Sequence, residues 1–246
     1  MPTPMSEVFQ HDVAGVYDLL YRARGKDYQA ECDTVIDIVR SRNPSAQSLL
    51  DVGCGTGVHL AHFAADFGHV EGIDLSEDML ALAAARLPAV PLHRGDIADF
   101  TVDRTFDVVT SLFTVVGYLS TVEQLNSALR CMARALAPGG VLLVEPWWFP
   151  ETFLPGFVSK NLVEIDGYTI ARVSHSRLEG DFSVVDMHYL VADERGGVRH
   201  FDETHRLRLY TQEQYEEAFR LAGLKFEIEA PEGGHTGHPY FVGVRA

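Results

Sequence analysis

An α/β fold with a mostly parallel, doubly wound sheet is the class that the 246-residue sequence predicts, on three observations. A short apolar run at 48–52 breaks into glycines at every second position, Gly53, Gly55 and Gly57, the pattern of a buried strand ending in a tight loop. Leu60, Phe63, Ala64 and Phe67 then recur at helical spacing, so the loop delivers the chain to a helix N-terminus whose free N–H groups can face a ligand. Strand-like and helix-like segments alternate from there to about residue 145, as a wound sheet requires.

Residues 1–11 are weakly patterned. Residues 12–28 carry Val16, Leu19, Leu20 and Tyr21 on a helical period broken by Gly25, and a second helix over 29–41 turns Val35, Ile38 and Val39 inward before Asn43-Pro44 stops it. Phe9, Tyr17, Tyr21 and Tyr28 therefore precede the first core strand. They either staple these helices to the core or form a lid across the strand C-termini that excludes water.

A second strand, 69–73, ends at Asp74, Ser76 caps a helix over 79–87, and a third strand over 88–93 leads into Gly95-Asp96-Ile97. The fourth strand, 106–112, passes Leu112 into Phe113 and on to Tyr118, at the strand end where open α/β sheets bind ligands. A helix over 122–136 stops at Pro138-Gly139-Gly140, and a fifth strand over 141–145 delivers Trp147 and Trp148. Alternating runs at 168–176, 183–192 and 198–210 predict an inserted antiparallel sheet of three or four strands, either a substrate cover or an oligomer interface. Thr211 opens a capping box for a helix to 221, and 224–230 and 240–244 form a terminal hairpin. The expected units are an N-terminal helical lid (1–44), a core (45–150 with 211–246) and the insert (151–210).

Lys plus Arg number 20 against 35 Asp plus Glu, a formal charge of −15, which repels nucleic acid and acidic membrane surfaces. No apolar run approaches the ~20 residues that span a bilayer, and no signal peptide or lipidation motif is present, so a cytoplasmic protein is expected. Three cysteines without C-x-x-C spacing argue against disulfides and structural zinc, and no metal is expected. Cys54 reads as a small filler in the glycine loop.

A dinucleotide fingerprint needs glycine where Val58 stands, so the loop fits NAD poorly. Asp74, about twenty residues beyond the loop, can accept both hydroxyl hydrogens of a ribose. LDVGCGTG, GIDLS and GDIADF occur in that order, and together they resemble the successive motifs of class I S-adenosylmethionine (SAM) methyltransferases. That resemblance implies a Rossmann-like seven-stranded sheet with an antiparallel last strand, SAM as cofactor and S-adenosylhomocysteine as product. It also gives Asp96 the adenine amine, and Ile97 the ring edge and face.

YRARGKDYQAE, LAPGGVLLVEPWWFP, RVSHS and LYTQEQYEEAFRLAGL extend the likeness over nearly the whole chain. With the glycine loop they resemble the bacterial N,N-dimethyltransferases acting on TDP-linked amino-dideoxyhexoses in macrolide sugar biosynthesis. The resemblance implies SAM contacts at Tyr17, Tyr28, Gly53, Asp74, Asp96, Ile97 and Leu112, to which the loop pattern adds Gly55. It also implies a homodimer or higher oligomer. The chain departs from that family at three acceptor-side positions: Phe9 replaces a tyrosine, Tyr118 a histidine, and His238 an arginine. An arginine fork grips phosphate as a permanent bidentate cation, whereas neutral histidine does not.

Methyl transfer to an amine needs chiefly alignment of a neutral lone pair with the methyl carbon. The expected acceptor is therefore a small-molecule amine, either a TDP-aminosugar or an antibiotic precursor without a diphosphate. The alternative is O-methylation of a sugar or polyketide hydroxyl, which calls for a positioned base. Candidate bases are His175, His188, His238, Glu145 and Asp186, with His175 of RVSHS singled out, and Tyr118 is the expected polar group near the amine. Phe9, Tyr21, Phe113, Tyr118, Trp148 and His238 are the expected acceptor contacts. Adjacent strand residues face opposite ways, so one tryptophan is expected in the pocket and the other in core or interface.

Overall fold

The computed structural model describes residues 11–230 and 238–246. Its elements run α1 (His11–Ala23), α2 (Tyr28–Arg42), β1 (Ser48–Val52), α3 (Val58–Asp66), β2 (His69–Asp74), α4 (Glu77–Arg86), β3 (Leu92–Arg94), β4 (Phe106–Ser111), α5 (Val122–Ala135) and β5 (Leu136–Val144). Four long strands follow, β6 (Val158–Ile165), β7 (Tyr168–Glu179), β8 (Phe182–Asp193) and β9 (Gly197–Arg208), then α6 (Gln212–Leu221), β10 (Leu224–Glu229) and β11 (Tyr240–Arg245). The first sheet has the order β3-β2-β1-β4-β5-β11-β10, parallel except for β11, which is antiparallel to both its neighbours.

The alternation of the central strands builds a layer on each face. Leu49, Val108 and Leu143 pack with Val35 and Val39 of α2 and Leu60 and Phe63 of α3. Their chain neighbours Leu50, Val109 and Leu142 point the other way, against Leu125 and Leu129 of α5 and Phe219 of α6. All are fully buried, and at roughly 1.5–3 kcal/mol per buried large side chain these layers fix the sheet on which the strand ends are displayed. The expected capping box of α6 is present, with Thr211 and Gln214 bonded reciprocally.

β5 begins five residues before the expected start of its strand. The β4–β5 register passes from Phe106↔Leu136 to Val108↔Val141, so Pro138-Gly139-Gly140 is a bulge inside the strand rather than a helix end. Gly139 has φ +74°, and a Cβ on Gly140 would lie 2.8 Å from the Ala137 carbonyl oxygen.

The second sheet has the order β6-β7-β8-β9, all antiparallel. Its fourth strand, β6, has no separate counterpart among the alternating sequence runs, because Ser159, Lys160, Asn161 and Glu164 dilute its apolar signal. Helix α1 lies on the inner face, where Val16 and Leu20 join Ile170, Met187, Tyr189 and Val191 in a third apolar cluster. Helix α2 instead packs on the parallel sheet. Among the described residues no helix is long and apolar enough to cross a membrane.

Candidate active site

The strand order reverses between β1 and β4, and the C-terminal ends of β1, β2 and β4 meet at that switch point. A cavity of ≈ 530 Å³ opens there. Gly53, Asp74, Ile97 and Leu112 wall its core side, Tyr17 and Tyr21 of α1 close another, and Arg172, Met187 and His205 reach in from the second sheet. A volume of this size lies within the range of small-molecule and cofactor sites.

On the core side the residues fit a nucleoside cofactor. Gly53 has φ +82°, and a Cβ there would lie 2.5 Å from Val115 Cγ1, so only glycine leaves both the turn and the cradle intact. The Asp74 carboxylate accepts the Gly55 and Ser76 backbone N–H groups, each at 2.8 Å, which fixes its plane and leaves lone pairs for two hydroxyl donors. Tyr28 meets His59 edge-on at 5.0 Å, and His59 Nε2 is 2.9 Å from Glu31, which also accepts Lys26 Nζ at 2.6 Å. Phe113 and Thr114 have φ of 53° and 66°, unusual for residues with side chains. The buried Glu145 carboxylate accepts the Phe113 N–H at 2.6 Å and holds that bend.

Seven of the eight expected cofactor residues line the cavity: Tyr17, Tyr28, Gly53, Gly55, Asp74, Ile97 and Leu112. Asp96 is exposed beside Ile97, outside the lining, and its carboxylate accepts the Ala98 N–H at 2.8 Å.

The second half of the cavity is aromatic. Tyr17 and Tyr21 lie 4.7 Å apart and Tyr21 meets the Phe113 ring edge-on at 5.0 Å, an aromatic box in which Lys26 Nζ lies over the Phe113 ring at 4.0 Å and Arg24 over the Tyr21 ring at 5.3 Å. Both tryptophans line the cavity, contrary to the expected split, because β5 ends at Val144 and strand alternation no longer governs residues 147 and 148. Trp147 Nε1 donates to Ser183 Oγ at 2.7 Å, and the His238 ring lies 4.6 Å from Trp148 and 6.2 Å from Trp147.

His175 does not reach this space. Its neighbours Ser174 and Ser176 line the cavity, so the strand period puts His175 on the exposed outer face of the second sheet. His188 is exposed on the same outer face, and Asp186 is engaged by Arg177. Phe9 lies outside the described residues. Tyr118 does enter the cavity, and its hydroxyl is 2.5 Å from Nδ1 of His205, a residue that sequence reasoning passed over.

Residues 49–140 match a family described as a methyltransferase domain. Over 239 residues the chain is 53% identical to the dTDP-3-amino-3,4,6-trideoxy-alpha-D-glucopyranose N,N-dimethyltransferase of Streptomyces venezuelae, covering 97% of this chain and 100% of the relative. It is 47% identical to the dTDP-3-amino-3,6-dideoxy-alpha-D-glucopyranose N,N-dimethyltransferase of Streptomyces fradiae, over 96% and 92% of the two chains. The chain belongs to this N,N-dimethyltransferase family. A SAM-bound amino pentose methyltransferase from Micromonospora echinaspora, involved in calicheamicin biosynthesis, superposes with a TM-score of 0.87 at 46% identity, over 97% and 98% of the two chains.

In this methyltransferase the cofactor is SAM, and burial tunes the titratable residues of the glycine loop and the cavity wall. Burial pushes the Cys54 thiol well above its ordinary pKa, which suits a filler and not a nucleophile. Burial lowers the His238 imidazole, so it is uncharged at neutral pH. Burial, with the nearby Glu203 charge, raises the Tyr118 phenol far above neutrality, so it is a hydroxyl and not a phenolate. His188, His200 and Asp202 come within 4.8 Å of one another on the outer face, where the two imidazoles are stacked at 14°.

Proposed function

We propose that this SAM-dependent N-methyltransferase methylates the amino group of a dTDP-linked aminodeoxyhexose. One observation carries the nucleotide-linked substrate: Arg172. It is buried on β7 and lines the cavity, and its guanidinium meets Asn161 Oδ1 at 3.4 Å, Met187 Sδ at 2.9 Å and the Tyr189 hydroxyl, all uncharged groups, while its Nε has no acceptor among the described residues. No salt bridge forms to it among the described residues. A buried cation without a carboxylate is costly, and a diphosphate in the cavity supplies the missing charge. Neutral His238 cannot do so. In this reading its ring, with Trp148, offers a stacking surface for a nucleobase.

Bound SAM supplies an electrophilic methyl carbon with a good leaving group. The chain's own residues do the rest by placement. Asp74 and the glycine loop hold the nucleoside, the Tyr17–Tyr21–Phe113 box surrounds the reacting region and α1 excludes water. Tyr118 orients the amine lone pair, and alignment of this kind lowers a barrier by several kcal/mol.

The test is product mass spectrometry with SAM and two acceptor sets, dTDP-aminohexoses and the same aminosugars without the diphosphate. Methylation of the dTDP-linked set alone supports the reading, and methylation of the free aminosugars alone overturns it.

We infer further that two copies associate through the outer face of the second sheet, where Leu162, Val173, Leu190 and Val198 are exposed on neighbouring strands. Light scattering on the protein and on Leu162→Lys/Leu190→Lys tests this: a dimer that the variant converts to monomer supports the inference, and a monomeric wild type ends it.

A further inference from the structure

Tyr118 lies on the 3₁₀ turn Val115–Tyr118 after β4, and the groups behind it come from the second sheet. The Tyr118 hydroxyl is 2.5 Å from His205 Nδ1, and His205 Nε2 is 3.2 Å from Glu203 Oε2. Glu203 and His205 are two apart on β9, so they share the inner face, and both are more than nine-tenths buried. The carboxylate has its second oxygen, Oε1, buried without a donor among the described residues. Tyr118 and His205 line the cavity, whereas Glu203 stands behind them.

A carboxylate can only accept. Its contact with Nε2 therefore places the His205 proton on Nε2, which leaves Nδ1 as an acceptor and makes the Tyr118 hydroxyl the donor to it. The Tyr118 oxygen then acts as an acceptor at the cavity wall.

We propose that Tyr118, His205 and Glu203 form a relay that removes the proton from the acceptor nitrogen after each methyl transfer. The proposal rests on the reading of the acceptor as an amine. Each transfer to a neutral amine yields an alkylammonium, which has no lone pair for a second methylation until one N–H bond breaks. In the relay that proton passes to Tyr118 Oη as the original tyrosine proton passes to His205 Nδ1. Tyrosine remains neutral, and the imidazolium formed is balanced by the Glu203 carboxylate. The imidazolium returns its proton to solvent between turnovers. Tyr118 and His205 act on the substrate, and Glu203 is a positioning residue that sets the histidine tautomer.

Among the described residues, other charged or titratable groups around this chain include Tyr17 and Tyr21 from α1, Arg172 from β7, Tyr189 from β8 and Asp74 from β2. Burial raises the Tyr17 and Tyr189 phenols, which are neutral at working pH. With its own carboxylate in contact, His205 is the group that takes the proton.

The experiment compares wild type with Tyr118→Phe, His205→Gln and Glu203→Gln, reading the ratio of monomethyl to dimethyl product from about pH 7 to about pH 9, where an alkylammonium still holds its proton. The expected result is a flat wild-type profile. The variants accumulate monomethyl product at the low end, with kcat down roughly 100-fold or more and recovering as pH rises, and Glu203→Asp restores part of the loss. Profiles and ratios equal to wild type in all three variants overturn the relay. A nitrogen NMR spectrum of wild-type imidazoles keeps the test independent of variant folding and of turnover. A proton on His205 Nε2 is expected, and a proton on Nδ1 overturns the proposal. If wild type methylates no aminosugar, the functional reading fails and the relay falls with it, whereas aminosugar methylation by a wild type with its proton on Nδ1 overturns the relay alone.

Discussion

The Asp18 carboxylate on α1 accepts the hydroxyl of Thr56, in the glycine loop, at 2.8 Å through one oxygen and pairs with Arg86 at 2.6 Å through the other. Arg86 also donates to the Thr56 carbonyl, so helix α1, the loop and the end of α4 are one bonded unit. This is the polar counterpart of the apolar contact that α1 makes with the second sheet, and it couples cavity closure to the loop's conformation.

Asp18→Ala removes both bonds while leaving every cavity-lining aromatic in place. A charged, partly buried hydrogen bond of this kind contributes about 1–2 kcal/mol, so SAM affinity is expected to fall roughly 5–30-fold by calorimetry. Unchanged affinity would show that α1 does not stabilise the cofactor-binding loop.

Gly53→Ala is expected to abolish measurable SAM binding. The alanine methyl would need φ +82° and would lie within 3.0 Å of three Val115 side-chain atoms. Relieving the clash shifts the 3₁₀ turn that carries Tyr118, so any residual activity should show a fall in kcat as well as a rise in the KM for SAM. Gly55→Ala is a milder control, since nothing lies within 4 Å of its Cβ position and only its φ of +54° is strained.

Arg172→Gln is expected to raise the KM for a dTDP-aminosugar by roughly 10–150-fold, the range for losing hydrogen bonds to a charged group. Arg172→Lys retains the charge without the fork and should fall between. Turnover of any diphosphate-free amine should change little. An equal loss on both acceptor types would mean that Arg172 holds the sheet and not the diphosphate.

The cofactor half of this site was legible in sequence because its parts are local. The glycine spacing, the aspartate about twenty residues on and the Ser76 cap each follow from neighbours in the chain. The acceptor half was less so. The buried alternation of Glu203, His205, Leu207 and Leu209 is present in the β9 sequence and just beyond it, but nothing local shows that His205 meets Tyr118, 87 residues away. His175 was misplaced for a related reason: both faces of β7 carry polar residues, so its pattern does not say which face turns to the cavity. The tryptophans were misjudged by one boundary, since an argument from strand alternation fails once the strand has ended.

Asp51 makes stability and cofactor binding depend on pH in opposite senses. It is buried as the penultimate residue of β1, lines the cavity and accepts the Thr110 hydroxyl at 2.8 Å. Burial raises its pKa to about 6, against the lowering effects of His59 and Thr110. Between the unfolded value of about 4 and about 6 the native state holds a proton that the unfolded state has lost, so stability falls as pH rises through that window. The cost is complete above it and amounts to at most about 3 kcal/mol. A cofactor carrying a sulfonium favours the ionised carboxylate, so SAM should bind more tightly as pH rises through about 6. Asp74, also raised by burial, contributes with the same sign, and Asp51→Asn separates the two. Asparagine can still accept from Thr110 but carries no charge. In thermal melts without SAM, the variant should gain stability over wild type near pH 7.5 and lose that advantage by about pH 4, while its SAM affinity should vary less with pH. A stability difference that stays constant from about pH 4 to about pH 8 would show that Asp51 is ionised throughout, and the origin of any pH-dependent affinity would then lie with Asp74.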